Sequence, residues 1–314
     1  MTNNKLMNPM VDFAFKALFG KDDSDSRELL ISFLNAIIKQ EDKIKKIISL
    51  NTYKDSNYEE DKLSIMDLKV ETNRNKVMYI GLQVNPNENY KKKNLYHWSK
   101  LYSGSLGEDH DLMDLKKCIL INILNFTLFE EIKRYHTEFK VEEMDENIVL
   151  DEDFEIHYLE LGKFNEKHGH KTEEEQWLTF MKYANDENKK NVIKELEQKS
   201  DVINKAMKKL RELSADEKQR FEYLAREKAL RDKVSGDRYL KRMIEKIKEE
   251  TSEEIRKLKE KERIEKIKLV LKLLDLNMEF VKIKEISELE ENKIKDIAEN
   301  IDHYKKEVAE FENK

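Results

Sequence analysis

The sequence predicts an α/β protein in which a sheet-bearing N-terminal part is followed by an all-helical C-terminal region. Three observations predict it. The stretch Leu63 to Val84, LSIMDLKVETNRNKVMYIGLQV, alternates apolar and polar residues as two strands joined by a polar turn. Charged residues make up 40% of the 314 and hydrophobic ones 39%, with two prolines and seven glycines, a balance that favours long helices with solvated faces over an all-β fold. From Thr172 onward no stretch reads as a strand, and after Ser235 the chain has one glycine, Gly236, and no proline.

Taken in order, Asp12 to Gly20 reads as a short amphipathic helix stopped by glycine, with Asp12 and Lys16 spaced as an i,i+4 pair. A polar break, Lys21 to Ser26, precedes a core helix from Arg27 to about Lys39, whose Leu29, Leu30, Phe33, Leu34, Ile37 and Ile38 form a broad apolar stripe. Ile44 to Tyr53 reads as a strand. In the hairpin, Ser64 to Glu71 puts Met66, Leu68 and Val70 on one face and Ile65, Asp67, Lys69 and Glu71 on the other. Lys76 to Val84 puts Met78, Ile80, Leu82 and Val84 on one face and Val77, Tyr79, Gly81 and Gln83 on the other, across the turn Thr72-Asn73-Arg74-Asn75. Asp67 and Gln83 can therefore share one surface, with only Gly81 between them.

Asn85-Pro86-Asn87 breaks the strand, and Asn89 to Leu106 reads as a helix that mixes Lys91, Lys92, Lys93 and Lys100 with Tyr90, Tyr96, Trp98 and Tyr102. Two readings stand: a phosphate-contacting face with bases stacked on the aromatics, or a half-buried helix whose lysines are merely solvated. Gly104 and Gly107 with Glu108 to Asp111 form a loop. Lys117 to Phe129 is an apolar run suited to a central buried strand, and Phe154 to Leu161 alternates as another. His168 and His170, in a polar loop without further spaced ligands, are a weak metal signal.

Trp177, Phe180, Met181 and Tyr183 mark a helix, and helical periodicity resumes near Val192. Leu240, Ile244, Ile247, Thr251 and Leu258 form a thin heptad-like stripe among Glu and Lys, the pattern of a coiled coil or helical hairpin. A helix of ~40 residues there reaches ~60 Å and is expected to stand apart as an arm or pair with another chain. Asn277 ends it, and two short helices follow, read either as part of a three-helix, helix-turn-helix-like unit or as an ordinary packing hairpin.

Net charge is −6, so nucleic-acid binding would rest on local patches or bound cations rather than on a global basic field. The single cysteine, Cys118, excludes an intramolecular disulfide framework, suits a reducing cytoplasm, and heads an apolar run as a buried structural thiol. No secretory signal and no membrane-length apolar stretch are visible, and a soluble, cytoplasmic protein is expected.

With these segments in view, the chain resembles the recombination-promoting nucleases, or Rpn proteins, of the PD-(D/E)XK nuclease family transposases. The resemblance is carried by DFAFKALFG with LLISFLNAII, SIMDLKVE, YIGLQV, NLYHWSKLYSGSL, ILINILNFTLF, FEIHYLELGKF and AMKKLRELSADEKQRFEYLAREKALRD, in that order. It implies a restriction-endonuclease-like core, a mixed sheet flanked by helices, over residues 1–190. A helical connector over 191–235, a long helix or coiled coil over 236–276 and a helical hairpin over 277–314 then complete the chain. It also implies hydrolysis of a DNA phosphodiester by acid-held Mg²⁺, a hard cation that takes carboxylate oxygens. Asp67 matches the first acid and metal ligand, and Gly81-Leu82-Gln83 falls on the family's E-x-Q, in which residues two apart share a strand face ~6.6 Å apart. Gln83 is then the residue that orients water or phosphate, and Lys91, Lys92, Lys93 and Lys100 approach the DNA backbone.

The chain departs from that pattern at its centre, because Gly81 cannot ligate a metal. Glu71 lies ~13 Å along the strand from Asp67, leaving Glu28 or Asp12 as acids that could reach in from the N-terminal helices. Lys93 stands for the family's arginine, Ser105 for a glutamine and Lys117 for a proline, which together read as natural drift. The resemblance therefore implies a DNA endonuclease of reduced or absent activity. The alternative is a non-catalytic protein that binds DNA or joins active relatives, as a homo- or hetero-oligomer, through its C-terminal helices.

Overall fold

The computed structural model describes residues 5–39, 43–53, 67–73, 76–84, 89–106, 111–165 and 171–313, with 51–53 and 67 entering by their backbone alone. Outside them lie Ser64 to Met66 of the first hairpin strand, Arg74-Asn75, Asn85-Pro86-Asn87, Gly107 to His110, and both His168 and His170. The chain divides into two compact units, Met1–Val234 and Ser235–Lys314.

In the first unit, α1 (Asp12–Phe19) and α2 (Ser24–Ile37) precede three strands, β1 (Ile47–Tyr53), β2 (Asp67–Thr72) and β3 (Lys76–Gln83). Helix α3 (Tyr90–Ser103) leads into β4 (Lys117–Leu124), β5 (His136–Phe139) and β6 (Phe154–Glu160). There follow α4 (Glu173–Tyr183), α5 (Lys190–Lys199), α6 (Asp201–Ala215) and the beginning of α7 (Glu217–Asp275). The described strands form one mixed sheet in the order β1-β2-β3-β4-β6-β5. β1, β2 and β3 pair antiparallel, β4 runs parallel to both β3 and β6, and β5 closes the edge antiparallel to β6. A parallel neighbour requires a crossover long enough to return the chain to the strand's starting end, and α3 provides it between β3 and β4.

Period-2 alternation assigns each strand residue to one of two cores. Leu68, Val70, Met78, Ile80 and Leu82 join Ile119, Ile121 and Ile123 in the larger core, under α1, α2, α4 and α6. Trp177 of α4 packs there against Phe19 and Phe33, with ring centroids 5.5 and 5.8 Å away. Val77, Tyr79, Cys118, Leu120, Ile156 and Tyr158 form the smaller core on the other face, covered by Tyr90 and Leu101 of α3. β4, buried on both faces, is the central strand that its apolar run predicts. Cys118 is 1% exposed, and burial, aided by Asp153, pushes its thiol up to about 12, as befits a packing residue.

Several expectations are corrected. Helix α2 begins at Ser24 rather than Arg27, because Asp23 caps it by accepting a 2.7 Å hydrogen bond from Ser26 N inside the polar run. Asp12 does not rest on an i,i+4 pair with Lys16: its Oδ2 accepts from Arg226 Nε at 2.7 Å, tying α1 to the first turns of α7. Gly20 ends α1 without a left-handed cap, at φ −100°. What it supplies is room, since a Cβ there would lie 2.9 Å from Leu68 Cδ2 and 3.0 Å from the carbonyl oxygen of Lys16. β5 has no counterpart among the strands that alternation predicts, because its positions over the sheet are held by His136 and Thr137 rather than by apolar residues. Helix α7 starts at Glu217 and continues through Gly236 without a break.

In the second unit Asn277, at φ 55°, follows the end of α7 as expected. Three short helices come next rather than two: α8 (Phe280–Ser287), α9 (Glu291–Glu299) and α10 (Ile301–Glu312), the last two divided at Asn300. Their Ile283, Ile294, Ile297, Tyr304 and Val308 bury Ile264, Ile267, Val270 and Leu271 of the last turns of α7. Among the described residues no helix is long and apolar enough to cross a membrane.

Two glycines should respond oppositely to the same substitution. Gly20→Ala forces its methyl group against Lys16 backbone and is expected to lower stability by about 1–3 kcal/mol. Gly236→Ala, inside α7 with nothing within 4 Å of the new Cβ, is expected to raise it by about 0.5–1 kcal/mol. Denaturant midpoints of the two variants against the parent check both signs.

Candidate active site

The hairpin's register sets the geometry of the first candidate. Leu68 pairs with Ile80, Lys69 with Tyr79 and Val70 with Met78, and one further step brings the backbone of Asp67 level with Gly81. Gly81 lies beside Asn122 of β4, and Asn122 beside Tyr158 of β6. A single row thus crosses the sheet through residues 67, 81, 122 and 158. By the alternation on β3, Gly81 and Gln83 belong to the face of Val77 and Tyr79, the face that α3 covers.

Beyond the glycine the row is neutral and already bonded. Asn122, 2% exposed, accepts at Oδ1 from the Tyr90 hydroxyl at 2.9 Å and donates from Nδ2 to the His157 carbonyl at 3.1 Å. Asn94 of α3 donates to the Tyr158 hydroxyl at 3.1 Å, and burial holds that phenol above its usual range. Gln83 is half-buried at the strand end, where its carbonyl accepts from Asn125 N at 3.0 Å. Asp67 is the row's one carboxylic acid. With Gln83 the donor set is, by residue type, one carboxylic acid and one amide, fewer acids than a two-acid magnesium site holds.

The acids that the sequence offers as substitutes are engaged elsewhere. Glu71 forms an ion pair with Lys116 across the sheet. Glu28 meets Lys205 of α6 at 2.6 Å, and Asp12 meets Arg226 at 2.7 Å.

Helix α3 faces two ways. Its aromatics mostly point down: Tyr90 bonds Asn122, Trp98 Nε1 donates to the Cys118 carbonyl at 2.8 Å, and the Tyr102 hydroxyl donates to Asp153 at 3.1 Å. Among the four, Tyr96 is exposed, with Lys100 Nζ 5.2 Å from its ring centroid. Lys91 and Lys92 are exposed and Lys93 half-buried, with Lys91 Nζ 4.3 Å from the centroid of Phe129. The lysines line the outer side of a helix whose aromatics anchor it. Ser105 ties the turn after α3 to the strand beyond, donating to the Tyr102 carbonyl at 2.7 Å and accepting from Lys116 N at 3.2 Å.

A second polar cluster, missed in the sequence, lies on the opposite sheet face. His136 Nδ1 meets Glu174 of α4 at 2.7 Å, His136 Nε2 meets His157 Nδ1 at 2.8 Å, and His157 Nε2 meets Glu155 at 2.6 Å. Lys39 and Lys117 close the two ends, on Glu174 at 2.9 Å and on Glu155 at 2.7 Å. These contacts link Glu174, His136, His157 and Glu155 in series. His136, His157 and Glu155 of this chain line an open pocket of about 1320 Å³ together with Lys76, Arg134 and Lys140.

Glu138, Glu155 and His157 bring ligand atoms within 4.8 Å of one another, an imidazole-carboxylate set suited to a zinc-class ion more than to magnesium. Each already has a partner, Glu138 pairing with Lys140 at 3.0 Å, so an ion would have to displace a hydrogen bond. The available signal in the sequence was Glu155 and His157 alternating with Ile156 and Tyr158, two titratable groups on a strand face that should be apolar.

This chain sets an acid limit on stability. Burial works to raise Glu155, but hydrogen bonds from His157 and Lys117 outweigh it and hold the carboxyl at about 2, against its ordinary 4.5. A depressed carboxylate contributes stability that is fully present above 4.5 and lost as pH falls toward about 2. Glu155→Gln is expected to cost about 3 kcal/mol at neutral pH by leaving Lys117 and the histidine chain without their anion. It should also flatten the stability profile between those two pH values, as read by urea unfolding across the range.

Compared with protein-family models, residues 9–240 match the PD-(D/E)XK nuclease family transposase. No curated protein and no solved structure matches the chain significantly. The matched region takes in the whole mixed sheet, both of its helical layers and the hairpin row, well over half of the sequence. This chain is a member of the PD-(D/E)XK nuclease family transposases.

Proposed function

We propose that this protein binds DNA through the face of its nuclease fold that carries Gly81 and α3, and that its cleavage of the phosphodiester backbone is weak or lost. The observation behind this reading is the row at residue 81. The position level with Asp67 is a glycine, and its neighbour Asn122 has its amide committed to Tyr90 and to the His157 carbonyl. Asp67 supplies one carboxylate and Gln83 an amide that can hydrogen-bond a phosphate oxygen. An in-line displacement needs charge neutralised on both attacking and leaving oxygens, and one acid is a poor basis for that.

Binding without efficient cleavage is favoured by the division of labour in α3, whose aromatics hold the helix while Lys91 and Lys92 stay exposed. Exposed lysines meet phosphates as point charges, so affinity should fall steeply with salt. Replacing both Lys91 and Lys92 by Ala is expected to weaken binding of a DNA duplex uniformly across sequences. It should lower the slope of log K against log salt by about 1 for each phosphate that is no longer neutralised, as fluorescence anisotropy at several salt concentrations would read.

Cleavage is tested by nicking of supercoiled plasmid in Mg²⁺ or Mn²⁺ with the parent, Gly81→Glu and Asp67→Ala. The expected order is Gly81→Glu most active, the parent weak and Asp67→Ala at background. A parent that cuts efficiently, with nothing gained from Gly81→Glu, overturns the impaired-site reading. DNA binding that disappears in Asp67→Ala overturns the separation of binding from cleavage.

A further inference from the structure

Between Tyr239 and Leu258 helix α7 carries a run of large apolar residues that nothing in the described chain covers. Leu240, Met243, Ile244, Ile247, Ile255 and Leu258 are between 43% and 66% exposed, whereas Ile264, Ile267 and Val270 further along are buried under α8 to α10. Leu240, Ile244, Ile247, Thr251, Ile255 and Leu258 are spaced 4-3-4-4-3, which keeps all six within about 40° of Thr251 around the helix. A stripe of that width is a coiled-coil seam. The 4-4 step at its middle is a stutter that locally straightens the supercoil.

The charges beside the seam choose the partner and its direction. Lys241, Lys248 and Lys259 lie about 60–80° to one side of the stripe, and Glu250 and Glu254 about 60–100° to the other, where Lys261 is the exception. In a parallel, in-register pair of identical helices, each basic flank meets the partner's acidic flank. Glu254 and Lys259 stand at the five-residue offset of an interhelical ion pair. An antiparallel pair sets lysine against lysine and glutamate against glutamate. The same arrangement stacks Ile on Ile and Leu on Leu along the seam, as a two-fold interface requires of a self-complementary surface.

We propose that this stretch binds a second copy of the same chain, as a parallel, in-register two-helix coiled coil from Leu240 to Leu258. The interface is independent of whether the nuclease site cuts DNA, because none of its residues belongs to the sheet or to α3. A dimer of this direction brings two DNA-binding units onto one assembly and raises the effective concentration of the second once the first is bound.

Sedimentation equilibrium of the full chain should give twice the monomer mass. Ile247→Asp with Ile255→Asp should weaken dimerisation by at least about tenfold while leaving helicity unchanged, since both side chains are about half exposed in the single chain. Direction is read by oxidative cross-linking, in which Ile244→Cys should form a disulfide with its own counterpart, Cys118 being too buried to compete. A parent that stays monomeric overturns the proposal. So does Ile244→Cys that cross-links only when mixed with Leu258→Cys, the outcome of antiparallel pairing. Both readouts use folded protein, so a double aspartate variant that fails to fold leaves the proposal decided by the other two.

Discussion

The parallel pairing of β3 with β4 is the constraint on which the rest of the first unit depends. It can form only if α3 carries the chain back over the sheet, and α3 stays there through bonds that a buried sheet face must satisfy in any case. Tyr90 to Asn122, Asn94 to Tyr158 and Trp98 to the Cys118 carbonyl place polar groups opposite polar groups inside an otherwise apolar layer. Removing either partner would strand a buried donor or acceptor, which costs more than the bond itself contributes. The same bonds fix what stands beside Gly81. Asn122 is therefore part of the scaffold, a structural amide beside Gly81.

The two faces of the sheet divide polar chemistry between them. Under α3 the buried pairs Tyr90–Asn122, Asn94–Tyr158 and Trp98–Cys118 carbonyl join neutral groups. Under α2 and α4 the groups are ionisable, with Glu174, His136, His157 and Glu155 linked in series and each end held by a lysine. Lys117 belongs to this second system, so the residue standing for an expected proline is ion-paired with the buried Glu155. Ser105 likewise replaces an expected glutamine while bonding the α3 turn to Lys116 N. Lys117 and Ser105 thus have local structural duties.

Much of the fold was legible because burial and period coincide. β2, β3, β4 and β6 follow alternation or an apolar run, and α2, α4 and α6 follow apolar stripes. The misses arise where the hydrophobic pattern carries no signal of the structure formed. β5 is invisible because His136 and Thr137 replace aliphatic residues, and the true start of α2 is hidden because its cap lies in a polar run. The division between α9 and α10 rests on the backbone of Asn300, which leaves no mark on the hydrophobic pattern.

By itself the sequence determined the fold class, the central place of β4, the burial of Cys118, and the absence of a side chain at residue 81. These follow from composition, periodicity and residue identity, which are local properties. Tertiary structure alone decided which groups surround that absence. It brought Asn122 beside Gly81, turned Tyr90, Trp98 and Tyr102 of α3 inward, and tied Glu71, Glu28 and Asp12 to Lys116, Lys205 and Arg226. It also joined two histidines and two glutamates from β5, β6 and α4 into one chain. The partners in these contacts are far apart along the chain, and strand order and helix packing set who meets whom, which no short-range pattern encodes.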